Sequence, residues 1–272
     1  MIASVDTQRS GAASTEGLRK HNACLSALSP ATLSMLKPHL TEITLSEGAI
    51  LWDAKRPATD VYFPISGLIS IVLAMPDGEC VEVGSVAREA AARLAFDGDQ
   101  SELLTRGVVQ IGGKFIRITR AQLMSAAGKN REIDHLIRFC RDWILFQAQQ
   151  IAACNAVHPA DKRFCRWIFE CGLRMETDTL QLTQEAIASA LGIRRTTVTL
   201  IAQTLQAHGS IHYRRGRISI SDRAALRSAA CECCDVLGER HWPSTRLRAL
   251  SVPTQPSGDT LETSVPVSPT RR

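Results

Sequence analysis

The sequence predicts an α+β chain with an N-terminal antiparallel β-roll (jelly-roll-like), one long helix and a C-terminal winged helix-turn-helix. Three observations carry this. Short apolar runs separated by turn residues fill residues 29–122. An unbroken seven-residue repeat of apolar positions follows. Beyond it, LTQEAIASALGIRRTTVTLIAQTLQ reads as two short helices broken at a glycine, and IHYRRGRISI reads as a basic hairpin.

A chain of 272 residues, 44% hydrophobic, is long enough for two medium domains with real cores. The formal net charge of +5 is a mild basic excess. No apolar run approaches the roughly 20 residues that span a bilayer. The N-terminus lacks the apolar stretch of a secretory signal, and Asp6 and Glu16 argue against a transit peptide. A cytoplasmic location without membrane contact is therefore expected. Nine cysteines at irregular spacing do not make a secreted disulfide framework, so free thiols are expected. Residues 1–24 are rich in Ser, Thr, Ala and Gly, and residues 237–272 scatter five prolines among Ser and Thr. Both are expected to be disordered tails.

Residues 25–130 form the expected roll. ATLSMLKPHL reads as a short helix stopping near Pro38. ITLSEGAILW, VYFPISGLISIVLA, CVEVGSVA and GVVQIGGKFIRIT read as strands, with PDG at 76–78 and Gly112-Gly113 as turns.

Residues 131–157 read as one helix of roughly 40 Å at 1.5 Å per residue. Ile133, Ile137, Cys140, Ile144, Gln147, Ile151 and Cys154 repeat at alternating spacings of 4 and 3, a heptad seam. Leu136, Trp143 and Phe146 widen the apolar face. No second helix of this length exists in the chain, so a second copy is the natural partner of the seam. A single buried helix is the alternative.

Residues 158–236 read as the third part. After His158-Pro159, ADKRFCRWIFECGLRM places Phe164, Ile168 and Cys171 on one stripe, with a stop near Gly172. Thr183 can cap the first helix of the pair, and Gly192 allows the tight turn. Val198, Ile201, Ala202 and Leu205 then form a buried back. Arg195, Thr196 and Thr199 lie on the solvent side, with Arg194 at the entrance and Thr197 beside them. Such a helix suits a major groove, because its apolar back is held while arginine and threonine reach bases and phosphates. Arg214, Arg215 and Arg217 surround a hairpin turn at Arg215-Gly216. Between Thr183 and Ile220 there are five arginines and one acid, Glu185, a footprint of phosphate contact.

In the order of its parts the chain resembles the Crp/Fnr family of bacterial transcription regulators over roughly residues 25–235. The stretches that carry the likeness are VYFPISGLISIVLAMPDGECVEVGSVAREA, HPADKRFCRWIFE, the helix pair with its hairpin, and AACECC. The resemblance implies a cyclic-nucleotide-binding-like sensor domain and a homodimer through the long helix. It further implies double-stranded DNA with two-fold symmetry as partner, and RNA polymerase as a second. Thr183 and Gln184 would then face backbone phosphate. Well-known members carry an Arg-Glu pair and a further Arg one turn on. Here those positions are Arg195, Thr196 and Leu200, so no operator sequence carries over.

The region matching the family's ligand loop reads GSVAREAAARLAFDGDQSEL. Ala90, Ala91 and Ala92 stand where glycine would let backbone N–H groups approach a phosphate. REAAARLAF is helical by propensity, and Asp97, Asp99 and Glu102 add negative charge. Cyclic AMP is not expected, and the effector is unknown; Arg88, Arg93 and Arg106 are the cations available to an acidic ligand.

Cys231, Cys233 and Cys234 could ligate zinc with His208, His212 or His241, or sense redox state. No second CxxC half-site exists, however, so no metal or other cofactor is expected. An iron–sulfur cluster is not expected either, since only Cys24 lies near the N-terminus. Cys140 and Cys154 read as core. No GxSxG, HExxH, P-loop or GxGxxG is present, so no enzyme is expected. A winged helix that contacts protein instead of DNA is the alternative to the regulator.

Overall fold

The computed structural model describes residues 8–9, 22–53, 59–75, 80–94 and 105–235. The expected C-terminal tail and the turn at 76–78 lie outside the described residues, as does most of the N-terminal tail. Within the latter, a short strand β1 (Gln8–Arg9) pairs with β2 (Thr41–Leu45).

The chain then runs through β3 (Ile50–Trp52), β4 (Asp60–Pro64), β5 (Leu68–Ala74), β6 (Cys80–Val86), β7 (Thr105–Ile111) and β8 (Gly113–Thr119). These make two antiparallel sheets, ordered β1-β2-β8-β4 and β3-β7-β5-β6. Two runs that read as single strands, 43–52 and 61–74, are each broken in the middle. Their halves belong to different sheets, and a chain that crosses between sheets at a corner is how a roll closes. Side chains from both inner faces, among them Phe63, Phe115, Ile116, Ile69 and Val109, fill one core.

Two short helices, α1 (Ala23–Ala27) and α2 (Pro30–Leu36), precede the roll. Asn22 caps α1, and its buried amide donates to the carbonyls of Pro64 and Ala90 at 3.0 and 3.1 Å. A further helix, α3 (Arg120–Ala127), follows β8 behind a Thr119/Gln122 capping box.

Residues 88–94 form turns and bends, not the helix that alanine propensity suggests. Tertiary bonds take the backbone groups a helix would use. Ala91 N–H donates to Cys140 Sγ at 3.3 Å, and Ala92 N–H donates to the Tyr62 carbonyl at 2.8 Å. All three alanines are buried.

The long helix α4 (Arg131–Val157) begins at Asn130, whose side chain accepts from Glu132 and Ile133 N–H. Its heptad seam packs on its own chain. Ile133, Ile137, Cys140, Ile144 and Gln147 are all buried within one copy. Cys140 Sγ lies 3.7 Å from Cys24 Sγ. Gln147 clips the helix to β6, accepting from Ser85 N–H at 3.2 Å and donating to Ser85 O at 2.9 Å. Five of the seven seam positions are thus covered by the roll, whose open sheet needs an apolar cover, while Ile151 is half-buried and Cys154 meets Cys231. The stripe left to solvent is Arg138, Asp142, Leu145, Gln149, Ala152 and Ala156, also at spacings of 4 and 3.

The third part begins at α5 (Ala160–Met175), with Pro159 at its N-cap. The helix ends at Met175, just beyond the stop region expected near Gly172. Gly172 is buried in the last turn, and a Cβ there would lie 2.7 Å from Ile220 Cδ1. The chain ends α5 at Glu176 with a left-handed φ of 50°. Next come β9 (Thr179–Gln181), α6 (Gln184–Leu191), α7 (Arg195–Ala207), β10 (Ile211–Arg214), β11 (Arg217–Ile220) and α8 (Arg223–Ala229). The strands form a sheet ordered β10-β11-β9. Phe164, Ile168, Leu180, Ile187, Val198, Ile218 and Leu226 build a second core. Among the described residues no helix is long and apolar enough to cross a membrane.

Replacing Gln147 with Ala removes the acceptor of the buried Ser85 N–H, while Ser85 O keeps Arg174, and should cost about 1–3 kcal/mol. Gln149→Ala on the exposed side should stay within about 0.5 kcal/mol of the parent. Urea unfolding of the two variants checks this.

Candidate nucleic-acid interface

The residues expected to touch DNA lie on the helix pair α6–α7 and on the hairpin that follows it. Thr183 caps α6 by accepting from Ala186 N–H at 3.1 Å. Gly192, at φ 60°, makes the turn into α7, as its lack of a Cβ permits. Arg194 is the N-cap of α7, and Val198, Ile201, Ala202 and Leu205 form the buried back of that helix. Arg195 and Thr196 are exposed, and Thr197 and Thr199 are half-buried. Gln184 Oε1 accepts from Thr199 Oγ1 at 3.0 Å and from Arg195 Nε at 3.5 Å, so the first helix steadies the second.

The hairpin β10–β11 turns at Arg215-Gly216, with φ of 50° and 73°, and Arg214 pairs across it with Arg217. Positive φ at both central residues belongs to the type I′ turn that suits a two-residue hairpin. Its tip is tied to the start of α6, since Leu182 N–H donates to Gly216 O at 2.7 Å. Tyr213 anchors the base, its hydroxyl donating to Leu182 O at 3.1 Å and its N–H to Gln206 Oε1 at 2.8 Å. Arg194, Arg195, Arg214, Arg215 and Arg217 make no ion pair with a described residue. Leu200 was not assigned a role from sequence, yet it is 64% exposed on the same helix. An apolar side chain left in water on a helix otherwise well patterned is the signal that would have marked it.

Behind this surface the domain docks on the roll. Trp167 Nε1 donates to Glu82 Oε1 at 3.1 Å, and Ser189 Oγ donates to Cys80 O at 3.2 Å. Arg174 reaches Ser85 Oγ and O at 2.9 and 2.8 Å and pairs with buried Glu89. Burial pushes the Glu82 carboxyl above its ordinary range, and bonds from Ser70 and Trp167 only partly offset that. Burial likewise raises Glu170, which pairs with Arg166.

Of the three cations offered to an acidic effector, Arg88 pairs with Glu176 and Arg106 with Asp53. Arg93 instead borders a cavity of about 280 Å³ between the roll and α4, with Trp52, Ile71, Thr105, Arg141 and Ile144. Asp97, Asp99 and Glu102 lie outside the described residues.

The expectation that no cofactor site exists is corrected here. Cys154, His158, Cys231 and Cys233 bring one ligand atom each into a cluster whose atoms all lie within 4.8 Å of one another. The sequence reading failed because two of the four come from the end of α4, 73 or more residues from the cysteines they meet. Cys154 and His158, four apart at a helix end, were the available signal. Cys234 stays outside this group, as do His208 and His212, and His241 is outside the described residues.

A family model for the Crp-like helix-turn-helix domain matches residues 162–229. No curated protein matches the chain. Among solved structures, FixK2 from Bradyrhizobium japonicum is 17% identical with a TM-score of 0.60, covering 71% of this chain and 98% of that one. The c-di-GMP responsive global regulator CLP of Xanthomonas campestris is 17% identical with a TM-score of 0.58, at 71% and 99% coverage. TTHB099, a transcriptional regulator of the CRP family from Thermus thermophilus, is 16% identical with a TM-score of 0.57, at 69% and 95% coverage. With the roll, the long helix and the helix-turn-helix in this order, the chain shares the fold of these structures, and residues 162–229 match the Crp-like helix-turn-helix domain.

Because the Glu82 pKa is raised in the fold, its contribution to stability is greatest at low pH and is lost as pH rises above the ordinary carboxylate range. Glu82→Gln keeps an acceptor for Trp167 and turns toward Ser70 an amide donor, which the Ser70 hydroxyl can accept by rotating, without the charge. Its stability should fall less than the parent's between about pH 5 and about pH 8, with Glu170 supplying the slope that remains. Thermal unfolding across that range measures the difference.

Proposed function

We propose that the protein is a homodimeric, sequence-specific DNA-binding transcription regulator. The observation that supports this best is the group of exposed cations Arg194, Arg195, Arg214, Arg215 and Arg217 on α7 and the wing, with exposed Thr183 and Thr196 and half-buried Gln184, Thr197 and Thr199. Between Thr183 and Ile220 the one acid is Glu185. Guanidinium groups without a carboxylate partner among the described residues are suited to phosphate and to guanine edges. Gln184 holds Arg195 and Thr199 at the N-terminal end of α7, the end a recognition helix presents to bases. The exposed Leu200 offers an apolar contact for a thymine methyl.

A second copy supplies the two-fold symmetry. Since the heptad seam is committed to the roll, the partner helix is assigned to the stripe of Leu145, Gln149, Ala152 and Ala156. Leu145 is 59% exposed there, and the alanines allow close approach. The cavity beside Arg93 is the place for an effector, which acts by favouring one arrangement of the two recognition helices over another. RNA polymerase is the remaining partner in this reading.

Site selection from random duplex DNA, at two salt concentrations, should enrich a two-fold motif with half-sites about one helical turn apart. Arg195→Ala should cost about 1–3 kcal/mol on the selected site and relax preference at one base position. Arg215→Ala should weaken selected and random DNA alike and flatten the salt dependence by about one phosphate contact. Parent-like binding by both variants would refute the interface. Leu145→Asp should convert the dimer to monomer in sedimentation, and an unchanged dimer would refute the stripe.

A further inference from the structure

The buried cluster Cys154, Cys231 and Cys233 is separate from both large cores. Cys154 sits in the last turn of α4, and His158 is the C-cap of that helix. Cys231 and Cys233 follow α8, where the helix-turn-helix match at 162–229 has just ended. The four residues therefore come from the two sides of the His158-Pro159 joint.

Two of the six distances among their ligand atoms match the edges of a coordination tetrahedron, and all six are within 4.8 Å. A tetrahedral zinc ion with Zn–S near 2.3 Å and Zn–N near 2.05 Å has S···S edges of about 3.8 Å and S···N edges of about 3.6 Å. Cys154 Sγ lies 3.6 Å from Cys231 Sγ, and Cys233 Sγ lies 3.7 Å from His158 Nδ1. Two sulfurs at this separation are not a disulfide, which requires about 2.05 Å.

The surroundings are arranged for ligation too. His158 Nε2 lies 3.0 Å from Glu232 Oε1. An ionised carboxylate only accepts, so Nε2 carries the proton and the lone pair of Nδ1 is turned toward the sulfurs. A carboxylate fixing a histidine in this way is the usual outer partner of a metal-bound imidazole. Gln150 Nε2 donates to Cys233 Sγ at 3.0 Å and holds that sulfur in place. Arg166, buried and paired with Glu170, interacts electrostatically with Cys154 and Cys231.

We propose that Cys154, His158, Cys231 and Cys233 form a tetrahedral zinc site that ties the end of the DNA-binding domain to the end of the long helix. Three thiols each lose one proton to solvent on binding, and neutral His158 supplies the fourth ligand. Soft thiolate ligands with one imidazole select zinc over hard, oxygen-seeking cations. Bound metal fixes the angle at the joint, since α4 and the segment after α8 can no longer separate.

The test uses the full chain, purified without chelator under reducing conditions. Metal analysis should find one zinc per chain, and replacement by cobalt should give the thiolate charge-transfer and intense visible bands of a tetrahedral sulfur-rich site. Cys154→Ser and Cys233→Ser should lose the metal, while Cys234→Ser should keep it. Glu232 is exposed, so Glu232→Gln does not endanger the fold; it should weaken zinc by about 10–100-fold in competition with a chelator. Removing zinc should lower the melting temperature of the parent and not of Cys233→Ser. No zinc uptake on titration overturns the proposal, as does recovery of a metal-free Cys154–Cys231 disulfide from cells. Equal metal loss in Cys234→Ser and Cys233→Ser overturns it as well. None of these readouts involves DNA, so failure here is distinct from failure of the regulator reading.

Discussion

One helix has to satisfy several neighbours at once, and its buried seam on the roll is the constraint from which the other arrangements follow. An open four-stranded sheet needs an apolar cover, and α4 supplies it through Ile133, Ile137, Cys140 and Ile144. The clip between Gln147 and Ser85 then sets how the helix is rotated. That rotation decides the rest. It turns Leu145 and Gln149 outward, and it aims Cys154 and His158 at the returning C-terminal segment. It also leaves a cavity beside Arg93 where helix and sheet do not meet.

The docking of the second domain on the first is mostly polar. Glu82, Glu89, Arg174 and Trp167 are all largely buried and bonded across it. Interfaces of this kind cost more to desolvate than apolar ones and contribute less net stability, but they tolerate only one register. Beside it, the contact of Leu68, Ala87 and Ile111 with the second core supplies apolar area. The same strand, β6, therefore meets α4 through Ser85, α5 through Glu82 and α6 through Cys80.

The local elements were legible where local rules decide them. Thr183 as cap, Gly192 as turn, the buried back of α7 and the Arg215-Gly216 hairpin each follow from a residue type whose preference is strong and uncontested. The capping box at Thr119 and Gln122 could have revealed α3 and was passed over. What sequence did not reveal depends on where distant surfaces meet. The seam of α4 has the period of a coiled coil, and periodicity cannot say which apolar surface will cover it. The alanines at 90–92 are held by Asn22, Cys140 and Tyr62, so helix propensity lost to tertiary bonds. Gly172 lies in the last turn of α5, near the expected stop, and its second use as a notch for Ile220 is a tertiary contact. The Cys/His cluster needed two ends of the chain to be brought together.

The left-handed residue at the tip of the wing has a consequence of its own. Asn, Asp or Gly would occupy that conformation with little strain, whereas an arginine there costs on the order of 1 kcal/mol. The hairpin is therefore less stable than its own backbone geometry would permit. Selection for thermal stability alone would replace Arg215 by asparagine. A chain that keeps arginine there accepts the strain and holds a charge at its fingertip where a neutral residue would be more stable.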